Sequence, residues 1–180
     1  MSLQDTDRLV ADVDGGFVVY INGMRLNKLR AIPQWLLAGR KLARMFDELE
    51  ADPDSGFLGY QPAFMGPRTG AAIQYWRSLE DLKRFANDPD GRHVPAWKWY
   101  DETVNDDGGV GFWAELYVVE EGNYETFFRN VRPIGIGKYA TLVPRARGQR
   151  DGVPFLAGAV PGSGSADGPV DEAGYGECPW

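Results

Sequence analysis

His93 is the only histidine in the chain, and it opens the run "HVPAWKWYDE" at residues 93–102. An imidazole titrates near neutral pH and carries a lone pair that can bind a metal, so it has the widest chemical reach here. Trp97 stands four positions on and Tyr100 seven, so a helix would place both on His93's face. One histidine and one cysteine, Cys178, cannot build a zinc site from nitrogen and sulfur ligands, nor an intramolecular disulfide. Haem asks for less: a broad apolar slot and one protein ligand to iron. Read from periodicity, His93 is a partly buried side chain bonded to backbone carbonyls, or an exposed residue at a helix start. Read for chemistry, it is an axial haem ligand facing a cavity lined by Trp and Tyr. Both readings stand on the residues alone.

Other constellations carry less. There is no P-loop, and the Gly135 to Gly137 stretch lacks the strand-then-helix setting of a dinucleotide loop. Carboxylates crowd at Asp47/Glu48/Glu50, Glu80/Asp81 and Asp106/Asp107, all at expected helix ends or turns, where solvated charge is the expectation rather than a glycosidase pair. A net charge of −7 argues against a duplex nucleic-acid binder, which needs a basic stripe to neutralise phosphates. No apolar run reaches spanning length and no basic-then-apolar leader opens the chain, so a cytoplasmic protein is expected, with no membrane partner. At 180 residues and 43% hydrophobic composition, the chain is long and apolar enough for one domain with a real core.

The elements that must carry His93 follow from pattern. Residues 16–24, "GFVVYINGM", read as a buried strand ending at Asn22-Gly23. From Ile32 to Leu49 apolar residues recur at helical spacing, with Pro33 in the first turn. Residues 55–66 predict a strand that Pro62 confines to an edge or bulge, and 70–78 a further strand. Ser78 predicts a helix cap, with Asp81 three residues on, and Leu79, Leu82, Phe85 and Ala86 form that helix's apolar face. The His93 helix should run to about Thr103, followed by a strand over 110–119, a short helical piece over 123–131 and a short strand over 137–143. This order predicts an α+β, ferredoxin-like split βαβ domain over 15–144, after an N-terminal arm (1–14) and before a Gly/Pro-rich tail (145–180). One sheet face is expected to stay open and apolar, favouring a homodimer.

The segments "IQYWRSLEDLKRFANDPDGRHVPAWKWYDE" and "VGFWAELYVVEEGNYETFFRNVRPIGIGKY" resemble a monooxygenase-like family of the dimeric α/β-barrel type, found in fungal polyketide and terpenoid pathways and in bacteria. They are also similar to the C-terminal half of the haem-dependent aldoxime dehydratases. There a "YW-S-DLERWA" motif precedes a helix carrying a histidine, then a strand with His-Glu, then a "YEY-N-P-TG" segment. The resemblance spans roughly 16–140 and implies a dimeric-barrel fold and haem b. It places the iron-ligating histidine on His93, the pocket-shaping "N-P" on Asn130 and Pro133, and the distal histidine on Ala114, with Glu115 retained. The serine that bonds the oxime oxygen falls near Asn22.

Alanine at the distal position lacks the general acid of oxime dehydration, a group worth about two to four orders of magnitude in rate. The resemblance therefore implies a kept proximal side and a rebuilt distal side, with Asn22, Gln74, Tyr20 and Arg25 as candidates. Strand alternation puts Tyr20, Asn22 and Met24 on one face, and Phe112, Ala114 and Leu116 on one face of the later strand. Trp97 is a candidate cofactor contact. Arg25, Lys28 and Arg30 are either propionate ligands or a solvated loop. The expected function is a haem-binding enzyme acting on a small hydrophobic molecule, by oxygenation or N–O bond chemistry. The alternatives are a cofactor-independent oxygenase and a non-catalytic haem or ligand binder.

Overall fold

The computed structural model describes residues 9–88, 93–104 and 107–144. The expected tail lies outside them. The main sheet has the order β3-β4-β2-β5, built from β2 (Phe17–Leu26), β3 (Phe57–Phe64), β4 (Thr69–Trp76) and β5 (Val110–Val119). Neighbours are antiparallel throughout. Helices α1 (Ile32–Ala51), α2 (Leu79–Asn87) and α3 (His93–Thr103) complete two interleaved βαβ halves, which is the ferredoxin-like topology. The expected α+β class is what the chain adopts.

Local chemistry accounts for most boundaries. Pro33 sits in the first turn of α1, where its missing N–H has no intrahelical role. Pro62 falls on edge strand β3, which also carries a bulge between Phe57 and Gly59. The Ser78 hydroxyl accepts from the Asp81 amide (3.1 Å) and donates to the Asp81 carboxylate (2.8 Å), so the cap operates with Asp in place of the usual Glu. Such a cap contributes about 1 kcal/mol, and it starts the helix whose other end meets His93.

Side chains of the even-numbered β2 residues face the helices. Val18 packs with Phe46, Leu49, Phe57, Trp76 and Leu82 in one cluster. Leu26 packs with Ala31, Ala38, Tyr100, Val104 and Val110 in a second. Trp76 is fully buried, in edge contact with Phe57 (centroids 4.9 Å apart). Burying side chains of this size stabilises by about 1.5–3 kcal/mol each.

Three expectations change in the structure. Within the segment read as an arm, Leu9–Asp12 forms β1 and pairs antiparallel with β6 (Thr141–Pro144). Residues 123–131 are not helical. Their backbone is drawn out along β1 instead: Phe128 exchanges backbone hydrogen bonds with Leu9, Thr126 Oγ1 accepts from the Ala11 amide (2.6 Å), and the Tyr124 hydroxyl accepts from the Val13 amide (2.7 Å). These tertiary bonds outweigh a weak local helical pattern. Finally, the sheet face opposite the helices is not left open along its length. Phe17 and Tyr75 are buried there with Ala11, Phe128 and Ile136, which belong to β1 and to the segment following β5.

Candidate functional site

The helix-facing side of the sheet and all three helices enclose a cavity of about 840 Å³. That lies within the ~300–1,000 Å³ usual for small-molecule and cofactor sites. Its walls are mainly apolar and aromatic. Trp35 donates its indole N–H to the Met24 carbonyl (3.3 Å) and ties α1 to β2 along one wall. Phe46 and Tyr60 pack with ring centroids 4.3 Å apart on another. Arg40, Lys41 and Lys83 are the charged lining residues, and no Asp or Glu lines the cavity among the described residues. The Lys41 ammonium sits 4.5 Å from the Trp99 ring centroid.

His93 lines this cavity from the first turn of α3. Its Nδ1 lies 3.0 Å from the Ala86 carbonyl oxygen at the end of α2, and its ring packs 5.2 Å from Phe85. A carbonyl can only accept, so the Nδ1 contact requires a proton on that nitrogen and leaves the ring's lone pair on Nε2. Histidines that bind metals are oriented this way, with the other ring nitrogen donating to a carbonyl or carboxylate. Four residues along, Trp97 stacks on Tyr100 (5.5 Å, 18°) and meets Phe112 edge-on (4.8 Å, 72°). The Tyr100 hydroxyl donates to the Val110 carbonyl, which secures α3 against β5.

Two buried amides face the cavity from the sheet. Asn22 and Gln74 are 6% and 3% exposed. Trp76 Nε1 donates to Gln74 Oε1 (3.1 Å), and Gln74 Nε2 donates to Asn22 Oδ1 (2.9 Å). Tyr20, two residues before Asn22 on the same face, also lines the cavity. Burial raises the pKa of its phenol, as it does for Tyr100; burial and the nearby carboxylates of Asp47 and Glu50 raise that of Tyr60. These phenols stay protonated at neutral pH and act as hydrogen-bonding groups rather than bases.

The structure thus gathers Asn22, Gln74, His93, Trp97 and Tyr20 around one space. Ala114 pairs with Asn22 across the β2–β5 ladder but is exposed and not part of the lining; its neighbours Phe112 and Leu116 are. Asn130 and Pro133 are not brought to the cavity. Their segment packs Phe128 and Ile136 onto the opposite sheet face. Arg25 points away as well, reaching the Thr69 hydroxyl (3.4 Å). Arg30 pairs with Asp107 (2.5 Å), and Lys28 donates to the Asp107 backbone carbonyl, so this cluster closes a loop rather than holding propionates. Hydrogen bonds from Arg30 and the Gly109 amide hold the Asp107 carboxyl below its ordinary range.

Sequence reasoning missed the cationic rim of Arg40, Lys41 and Lys83, because on paper they are ordinary solvent-side residues of two helices. The readable signal of the site was an amide in the middle of each of two apolar strands, in "VVYINGM" and "AAIQYW".

A family model described as Monooxygenase af470-like matches residues 17–136. The sequence is 26% identical over 128 residues to the monooxygenase af470 of Aspergillus fumigatus, covering 69% of this chain and 44% of that protein. The chain thus spans less than half the length of the curated relative it matches. Among solved structures, aldoxime dehydratase OxdRE in complex with butyraldoxime superimposes with a TM-score of 0.58 at 18% identity, over 77% of this chain and 38% of its own. A second aldoxime dehydratase superimposes with a TM-score of 0.53 at 15% identity, over 77% and 39%. At these identities the likeness is one of fold.

Proposed function

The chain belongs to the Monooxygenase af470-like family, and from that premise we propose that it is a haem-binding enzyme acting on a small hydrophobic molecule inside the cavity. The observation that carries the reading is the His93 ring, held through Nδ1 by the Ala86 carbonyl so that Nε2 is the ligating atom at an apolar wall. Haem fits the residues present. His93 would ligate the iron, the aromatic walls would take the macrocycle, and Arg40, Lys41 or Lys83 would receive its carboxylates. When bound, haem supplies redox and Lewis-acid chemistry at iron.

The protein's own contribution is positional. Apolar walls exclude water and hold an apolar substrate, while the Asn22 amide and Tyr20 hydroxyl bond to its polar atoms. Alanine at 114 places no acid or base beside Asn22. That favours oxygenation, the reaction the family name carries, over oxime dehydration. The buried Asn22–Gln74 pair supports one further reading: a cofactor-independent oxygenase in which these amides alone orient an electron-rich substrate beside O₂. Two copies are proposed to associate, because Leu116, Tyr117 and Val118 on edge strand β5 are 45–58% exposed.

The test is an absorption spectrum of protein purified with haem supplied. A Soret band saturating at one haem per chain, and lost in His93→Ala, is the expected result. A protein that stays colourless with excess haem yet oxygenates substrate would overturn the haem assignment in favour of the cofactor-independent reading.

A further inference from the structure

We infer that Trp76 and Gln74 are positioning residues that lock Asn22 with its amide NH₂ turned to the cavity, which makes the site selective for apolar ligands bearing an acceptor oxygen, a carbonyl or an oxyanion. The inference rests on the reading of this cavity as the ligand site and specifies the ligand's polar group.

The orientation follows from donor and acceptor chemistry alone. An indole N–H can only donate, so Trp76 Nε1, 3.1 Å from the Gln74 side chain, must meet its oxygen. That fixes the Gln74 amide and turns its NH₂ toward Asn22. Only the oxygen of Asn22 can accept there, at 2.9 Å, so the Asn22 NH₂ is left facing the other way. Trp76 is buried in the core between Phe57 and Phe85 and cannot reorient without disrupting both contacts. The whole relay is therefore set by one immobile ring.

Asn22 Nδ2 has no hydrogen-bond acceptor among the described residues, and the residue is 6% exposed. A buried donor left unpaired costs about 1–3 kcal/mol, so a polar amide placed here without a partner is destabilising unless something entering the cavity accepts from it. An acceptor oxygen on an otherwise apolar molecule meets that need. A ligand whose only polar group is a donor does not, since it would face two N–H groups.

The experiment compares two probes of nearly equal shape, 2-acetylnaphthalene and 2-isopropenylnaphthalene, which differ by a carbonyl against a methylene. Equilibrium dialysis should show the full chain binding the ketone about 5- to 100-fold more tightly than the hydrocarbon. Asn22→Leu should reduce that ratio to about one, and Gln74→Met should reduce it several-fold. The loss in both variants should fall on the ketone, whose affinity drops toward that of the hydrocarbon, whereas a merely structural role for Gln74 would weaken both probes together. If the wild type binds both probes equally, or Asn22→Leu keeps the ketone preference, the relay inference is overturned while the cavity reading stands. If the wild type binds neither probe, the cavity reading itself fails and takes the inference with it. The wild-type comparison needs no variant to fold.

Discussion

The imidazole of His93 and the backbone carbonyl of Ala86 meet at 3.0 Å where the end of α2 faces the start of α3. The Ser78 cap sets where α2 begins, nine residues of helix carry it to Asn87, and its last turn presents the carbonyl that selects the His93 tautomer. A helix cap thus acts on the chemistry of a residue fifteen positions away. With haem supplied, His93→Ala should lose the Soret band, and free imidazole should restore part of it by occupying the vacated space. Titration by absorption spectroscopy checks both, and a band unchanged in His93→Ala would move the iron ligand elsewhere.

Asp81 links stability to pH. Burial pushes its carboxyl up, but hydrogen bonds from Arg77, Ser78 and Arg84 together outweigh burial and hold it below its ordinary value of 3.8. A carboxyl with a lowered folded pKa contributes stability that is present above 3.8 and lost as pH falls through the folded value. Asp81→Asn should therefore cost about 1–2 kcal/mol at pH 7 and progressively less on acidification below that range. Urea unfolding of both proteins across acid pH measures the difference. A gap that persists undiminished in acid would show that the carboxylate charge is not its source.

Gly23 is required by a close approach on the side of the sheet away from Asn22's amide. A Cβ at this position would lie 2.5–2.9 Å from the Trp113 indole atoms. Gly23→Ala must push that ring outward, and overpacking of this kind costs about 1–3 kcal/mol. Gly39→Ala, where an added Cβ meets nothing within 4 Å, should leave stability unchanged or improve it within α1. Thermal unfolding of the pair gives the comparison, and equal midpoints would refute the Trp113 contact.

Ala114 pairs with Asn22 on neighbouring strands and is exposed. Ala114→His should fold with stability close to wild type, because substitutions at such positions mostly fall within about 0.5 kcal/mol. Because position 114 lies outside the cavity lining, the added imidazole should bring no aldoxime dehydration to the haem-loaded variant. Nitrile formation from butyraldoxime is the assay. Nitrile formed by the variant and not by the wild type would show that position 114 reaches the site.

Self-association is expected through edge strand β5. Light scattering should give a mass twice that of the chain for the wild type. Val118→Lys, which places a charge on a side chain 58% exposed in the single chain, should halve it without changing the far-ultraviolet circular dichroism. A monomeric wild type would end this expectation.

Much of the scaffold was legible because it rests on local rules. The alternation of "FVVYINGM", the Ser78 cap and the helical spacing after Ile32 each act over a few residues, and the strands and helices that flank His93 appear where those rules put them. The same locality explains the failure at 123–131. Its backbone was claimed by β1, more than a hundred residues earlier in the chain, and no short window contains that information.

The site divides along the same line. The residue types alone determined that the sequence lacks the nitrogen and sulfur ligands of a zinc site and a second cysteine for an internal disulfide, that His93 was the one imidazole available, and that Asn22 and Gln74 were amides set in apolar strands. Only the tertiary structure decided which way those groups face. It left Asn130 and Pro133 out of the cavity lining, paired Arg30 with Asp107, and ordered the amides behind Trp76. Direction depends on which donor meets which acceptor across strands and helices, and that is settled by packing between segments far apart in the chain.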